Sequence, residues 1–202
     1  MTQYEKNYRQ ASFYWGKEPN QLAKRFVEVA GNINGKTLID LGCGEGRDSI
    51  YFAKQGGSVT GMDLAHTGLV KAERWAKEES LSISTIQADI QSFRLEHPVD
   101  FIYSAGTLQY LPPHQRQNLF SHYKINTHLG GIHSFLVFIV KPWISPPPDA
   151  TNDEYLYRSG ELLQYYWDWN ILYCNEYIFE CHSSGVPHDH AVQEMIARKE
   201  VN

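Results

Sequence analysis

A short apolar run, Leu38-Ile39-Asp40-Leu41, ends in Gly42-Cys43-Gly44-Glu45-Gly46 and continues into Arg47-Asp48. Glycine at every second position removes the penalty a Cβ would impose and lets a ligand approach the main chain. Such a turn between strand and helix also directs the free amides of the helix N-terminus at one point. The spacing departs from the dinucleotide fingerprint G-x-G-x-x-G, because the third glycine follows the second by two residues and not three. An acid, Asp40, stands two residues before the first glycine. The stretch predicts a ligand-binding βα turn that does not hold a pyrophosphate.

The flanking sequence repeats the same alternation. It predicts strands over 37–41, 58–62 and 83–86, with helices over 47–55 and 67–79 between them. A fourth strand over 99–104, a helix over 115–126 and the most apolar strand, 132–140, follow; the last reads as a central strand buried on both faces. Leu22, Phe26 and Val29 recur at helical spacing before the first strand, behind the aromatic cluster Phe13-Tyr14-Trp15. After Lys141 come four prolines and an irregular stretch to about residue 157, long enough to predict a lid. A short helix from residue 159, strand-like segments at 171–173 and 177–181, a polar connection over 182–190 and a last strand over 191–198 complete the chain. The expectation is an α/β fold with a mostly parallel seven-stranded sheet, helices on both faces and a C-terminal antiparallel hairpin. It comprises one domain over 1–202: an N-terminal cap and first helix (1–34), a binding core (35–140), and a lid loop with the hairpin (141–202).

Composition narrows the partners. Eighteen basic against 23 acidic residues give a formal charge of −5, with no basic stripe of the kind nucleic acids require, so a nucleic-acid partner is not expected. The three cysteines, Cys43, Cys174 and Cys181, are odd in number and irregularly spaced, which fits a reducing compartment and suggests neither a disulfide framework nor a zinc site. The N-terminal residues lack a signal-type apolar segment, and the longest apolar run is too short to span a bilayer, so a cytoplasmic protein without a membrane partner is expected. Thirteen Tyr and five Trp supply rings for a pocket wall.

In an open α/β sheet, ligands bind beyond the carboxyl ends of the strands where strand order reverses. The glycine turn, Asp63 after the second strand and Asp89 after the third should converge there. An acid in the second position can accept both hydroxyls of a ribose, and the next can accept from the exocyclic amine of adenine. Each acid alone could instead cap a helix. Together they describe an adenosine-bearing cofactor without a pyrophosphate.

Asp40 to Gly46, Gly61-Met62-Asp63, Gln87-Ala88-Asp89-Ile90 and Asp100 to Ser104 resemble the successive motifs of class I S-adenosylmethionine-dependent methyltransferases, over residues 35 to 140. The resemblance implies a Rossmann-like methyltransferase fold with S-adenosyl-L-methionine as cofactor. It places Asp40, Gly42 and Gly44 at the methionine moiety, Asp63 and Leu64 at the ribose, Asp89 and the Ile90 backbone at adenine, and Ser104 with Thr107 to Gln109 near the transferable methyl. The outer segments Phe179-Glu180-Cys181-His182, the turn at Gly185 and Met195 to Lys199 resemble the end of the tellurite-resistance methyltransferases, which methylate tellurite and selenite. In that family a histidine followed by arginine stands where His182-Ser183 stands, and a second arginine comes near His190. This sequence keeps the histidine and lacks both arginines.

The resemblance thus implies a catalytic role for His182, which could orient an oxyanion or accept a proton. Arg47, Arg158, His188 and His190 could supply positive charge, and Tyr14, Trp15, Gln109, Tyr110 and Trp143 could line the substrate and lid. His188 and His190, two apart, could aim at a metal from a strand, but no third ligand is evident and no metal is expected. The implied acceptor is a tellurite or selenite oxyanion or a small thiol; a methyltransferase for RNA or protein, or a non-catalytic cofactor-binding protein, stands as the alternative.

Overall fold

Residues 3–148, 150–182 and 185–200 are described by the computed structural model. Helices α1 (Gln3–Asn7) and α2 (Gln21–Ala30) precede β1 (Thr37–Leu41), α3 (Arg47–Lys54), β2 (Ser58–Asp63), α4 (His66–Glu78), β3 (Ser84–Gln87) and β4 (Val99–Ala105). A 3-10 turn at Leu108–Tyr110, α5 (Pro113–Ile125), β5 (Thr127–Ile139), α6 (Glu161–Gln164), β6 (Asn170–Cys181) and β7 (His188–Arg198) follow. The strands form one sheet in the order β3-β2-β1-β4-β5-β7-β6, parallel through β5 and antiparallel at β7 and β6. This is the mostly parallel seven-stranded sheet with a terminal hairpin that the sequence predicts. Strand order reverses between β1 and β4, which opens a crevice at their carboxyl ends.

Neighbouring residues along the inner strands bury on opposite faces, as strands covered on both sides must. Leu38, Phe101 and Tyr103 join the α2 and α3 side, while Ile39 and Ile102 join the α5 and α6 side. Asn20 accepts the Leu22 amide at 2.8 Å to cap α2, and its own amide donates to Asp48 Oδ1 at 2.7 Å, tying α2 to α3. Phe26, fully buried, sets its ring 5.4 Å from Phe52 and 5.3 Å from Phe101. Truncating a ring so enclosed costs about 3–5 kcal/mol.

Three features depart from expectation. β5 starts at Thr127, because the Gly130-Gly131 step is absorbed as a register shift against β4, and β5 lies fifth in the sheet while β4 takes the middle. β6 is one continuous strand: at the sheet edge it pairs only with β7, so polar Asn175 stays exposed and Glu176 bonds to Lys141 and the Gly160 amide. β7 begins at His188, which makes His188 and His190 strand residues. Asp149 of the lid and Ser183 and Ser184 of the connection lie outside the described residues. No helix among the described residues is long and apolar enough to cross a membrane.

The irregular stretch after β5 is anchored by Arg116 of α5, a residue 1% exposed. Its guanidinium stacks 3.6 Å from the Tyr157 ring centroid, donates to Glu161 Oε1 at 2.5 Å and to Leu111 O at 3.1 Å, and reaches the Tyr155 carbonyl. Tyr157 in turn bonds the end of β5 in both directions, donating to Phe138 O and accepting from Val140 N.

A second buried charge fixes the N-terminal segment. Lys71 of α4 pairs with Glu45 of the glycine turn, their side chains 7% and 3% exposed. Lys71 Nζ also donates to Gln10 O at 2.9 Å and Ser12 O at 2.7 Å, and Glu45 Oε2 accepts the Tyr14 amide at 2.6 Å. Lys71→Met strands the Glu45 charge and is expected to cost about 3–5 kcal/mol in urea unfolding. Adding Glu45→Gln to it should recover part of that loss; an equal or larger loss in the double variant would contradict the pairing.

Candidate active site

A cavity of about 470 Å³ opens at the carboxyl ends of β1, β2 and β4, with the glycine turn as its floor. Gly42 and Cys43 donate to Met62 O at 2.7 and 3.0 Å, which fastens the turn to the end of β2. Gly42 has φ 77°, and a Cβ there would fall 1.8 Å from Thr107 Oγ1. Gly44 has φ 54°, and a Cβ there would meet the Tyr8 hydroxyl at 2.7 Å. The turn is thus clasped between the loop after β4 and the N-terminal segment, and only glycine satisfies both the dihedrals and the approach.

Three acids reach the cavity from successive strands. Asp63 accepts the Gly44 amide on Oδ2 at 2.8 Å and the Ala65 amide on Oδ1 at 2.7 Å. Burial raises its carboxyl above the ordinary range, opposed by the amides of Ala65, Gly44 and Leu64. The cap of α4 is supplied elsewhere, since Glu5 accepts both the amide and the hydroxyl of Thr67. Asp63 therefore keeps acceptor capacity for a ligand. Asp89 turns its Oδ1 to the Gln91 amide at 2.9 Å and lines the cavity beside buried Ile90. Asp40, 2% exposed, accepts from Ser49 Oγ at 2.6 Å; burial first, and the Asp48 charge second, push its pKa up to about 8. Burial thus favours the protonated form of this carboxyl.

The roof is aromatic. Tyr4, Tyr8, Trp15 and Tyr110 line the cavity, with the Tyr4 ring 5.8 Å from Tyr8 and 6.4 Å from both Trp15 and Tyr110. Phe138 and Phe179 form the wall on the hairpin side, and Thr151 and Asp153 of the lid reach the mouth. Arg47, held by Asp48 at 3.3 Å, is the cation on a lining that also carries Asp40, Asp48, Asp63, Asp89 and Asp153. Leu64 and Thr107 complete the group of sequence-predicted residues brought together here with Asp40, Gly42, Gly44, Asp63, Asp89, Ile90, Trp15, Arg47 and Tyr110.

Other candidates fall outside the lining. Ser104, fully buried, donates to Leu41 O at 2.8 Å and joins β4 to β1. Gln109, 2% exposed, donates to Gly106 O at 2.7 Å and leaves its Oε1 without a hydrogen-bond partner among the described residues. Tyr14 packs behind Trp15 with ring centroids 4.8 Å apart. Trp143 is 71% exposed and Arg158 is exposed. His182 is 66% exposed beyond the end of β6, with Nε2 2.8 Å from Glu180 Oε1. His188 and His190 stand behind the wall, the His190 ring 4.7 Å from Phe138 and 5.6 Å from Phe179. The expectation that no third ligand neighbours them is corrected by strand register, which sets Cys181 opposite His188.

Sequence reasoning passed over Tyr4, Tyr8, Phe138, Phe179 and Asp153. The i,i+4 spacing of Tyr4 and Tyr8 was the available signal, since it puts both rings on one helix face.

The Asp40 shift sets a pH dependence. A carboxyl whose folded pKa lies above its unfolded value stabilises the fold fully below the unfolded pKa, and that contribution is lost as pH rises through the folded value. Wild type should therefore lose stability relative to Asp40→Asn between about pH 4 and 8, by about 1.4 kcal/mol per pH unit. Denaturant midpoints measured across that range test this, and parallel curves for the two proteins would contradict it.

Comparison with known proteins gives the family and the fold. The profile of the family described as tellurite resistance protein TehB matches residues 8–190. A protein of Haemophilus influenzae Rd, named a probable S-adenosyl-L-methionine-dependent methyltransferase TehB, is 29% identical over 173 residues, which is 85% of this chain and 59% of the relative. The chain thus spans little more than half the length of that relative. The crystal structure of TehB from Haemophilus influenzae superposes with a TM-score of 0.79 at 25% identity, covering 98% of this chain and 66% of that one. A magnesium protoporphyrin IX methyltransferase from Synechocystis, solved with bound S-adenosylmethionine, shares the fold at a TM-score of 0.65 and 17% identity, over 89% of this chain and 79% of that one. With the family profile covering nearly its whole length, the chain belongs to the tellurite resistance protein TehB family.

Proposed function

We propose that this chain transfers a methyl group from S-adenosyl-L-methionine to a small acceptor, a tellurite or selenite oxyanion or a small thiol. The observation that carries the reading is the convergence of the Gly42–Gly44 turn, Asp63 and Asp89 on one cavity. Its volume of about 470 Å³ suits a small-molecule site. The name of the Haemophilus influenzae relative supports the reaction class.

The donor and acceptor set fits the cofactor. Asp63, oriented by two backbone amides, would offer its remaining lone pairs to the ribose hydroxyls, and Asp89 with the Ile90 backbone would take the adenine. The Gly42–Gly44 floor leaves room where a Cβ would close it. When bound, the cofactor supplies an already activated methyl group, so the protein's task is alignment and exclusion of water. The rings of Tyr4, Tyr8, Trp15 and Tyr110 do both, and their π faces favour a sulfonium over water. The acid-rich lining attracts the cationic cofactor, while Arg47 offers positive charge to an anionic acceptor. A lone pair on tellurite or selenite attacks without a general base, and a thiol does so as its thiolate, having already released its proton to solvent, so the lining needs none. The net charge of −5 favours a small acceptor over RNA. The irregular set of three cysteines fits a reducing, cytoplasmic setting.

Methyl-labelled cofactor incubated with the protein and selenite, tellurite, small thiols or bulk RNA should place label in small, volatile products; label confined to RNA or protein would overturn the reading. Asp63→Ala should weaken cofactor binding in calorimetry by about tenfold or more, the worth of a charge-assisted hydrogen-bond pair. His182, outside the lining, acts in this reading on the acceptor alone. His182→Ala is expected to lower kcat with cofactor Kd unchanged, and an unchanged kcat would return the residue to the hairpin tip.

A further inference from the structure

We propose that Cys181, His188 and His190 form a three-ligand site for a borderline-soft transition metal ion, with Zn²⁺ as the type, at the end of the β6–β7 hairpin. The Sγ of Cys181 and one ring nitrogen of each histidine lie within 4.8 Å of one another. The fold brings them together by register. His188 and His190 are two apart on β7 and so share one face, and Cys181 stands directly across from His188 on β6. All three are half-buried, reachable by an ion yet shielded on the side of Phe138 and Phe179.

The hydrogen bonds prepare the ligands. His188 Nδ1 lies 2.8 Å from Val186 O. A carbonyl can only accept, so Nδ1 donates to it, and in the neutral ring Nε2 is then the acceptor nitrogen. That arrangement, a ring N–H given to a backbone carbonyl, is how metal-ligating histidines are oriented. That Nε2 faces His190 Nε2 at 3.0 Å. Without an ion, His190 must donate between them; with one, that proton moves to the other ring nitrogen and both lone pairs turn to the metal. Tetrahedral zinc with bonds of about 2.0–2.3 Å sets its ligand atoms about 3.3–3.6 Å apart, so closure asks only for a small side-chain adjustment. A thiol with two imidazoles selects zinc or copper over magnesium or calcium, which prefer oxygen. Binding displaces the thiol proton to solvent, and three protein ligands leave a fourth position open.

The site is independent of the methyl-transfer reading, and so is its test. Tag-free full-length protein, stripped with a chelator, is titrated with Co²⁺ and then Zn²⁺. One equivalent of Co²⁺ should give a thiolate-to-cobalt charge-transfer band with tetrahedral ligand-field bands, and Zn²⁺ should abolish both. Cys181→Ser should remove the charge-transfer band, whereas Cys174→Ser should keep it. His188→Ala and His190→Ala should each weaken Zn²⁺ binding by more than about tenfold, since loss of even an outer-shell partner costs that much. No charge-transfer band in wild type, which needs no variant to fold, would overturn the proposal. So would a band that survives Cys181→Ser, or Zn²⁺ affinity unchanged in both histidine variants.

Discussion

The ion pair between Lys71 and Glu45 holds three parts of the molecule to one point. Glu45 belongs to the glycine turn, Lys71 to the helix after β2, and the carbonyls of Gln10 and Ser12 to the segment that roofs the cavity. Taking two charges out of water is expensive, and the arrangement is viable because the ammonium meets two carbonyls and a carboxylate while the carboxylate also accepts the Tyr14 amide. With that knot tied, Tyr8 is set over Gly44 and Trp15 over the cavity. Helix α1 buries none of its own residues, and the knot works together with Glu5, which accepts from Thr67, and with Phe13, whose ring lies 5.1 Å from Trp75.

The irregular stretch after β5 obeys the same logic from the other side. Arg116 satisfies its donors on Leu111, Tyr155 and Glu161 and lays its plane on Tyr157. An irregular, proline-rich stretch is thereby fixed at its far end, while Tyr110 Oη and Thr151 Oγ1 meet at Glu154 Oε1 near the mouth. Two buried cations, one per side, hold the irregular chain against the regular sheet.

What the sequence disclosed and what it hid follow from the range of the interactions. Gly42, Gly44, Asp63 and Asp89 were legible because their positions depend on strand ends, and strand ends are marked locally by apolar runs and glycines. Lys71 and Arg116 were not, because a basic residue on a helix ordinarily reads as solvated, and only tertiary contacts turn it inward. Cys181 was passed over for a related reason: its neighbours lie across a hairpin whose register is set by the burial of Val192, Met195 and Ile196 and leaves no mark at the cysteine. The motif-based places of Ser104 and Gln109 are near the cavity, yet both side chains are committed to backbone carbonyls.

The cavity draws its floor from the middle of the chain and its enclosure from both ends. The floor and its acids lie between residues 40 and 90, within consecutive βα units whose contacts are close in sequence. The roof needs Tyr8 to reach Gly44, and the far wall needs Phe138 and Phe179 to be brought together by β7. A ligand that touches floor, roof and wall at once binds only the finished molecule, and by mass action it stabilises the fold as a whole.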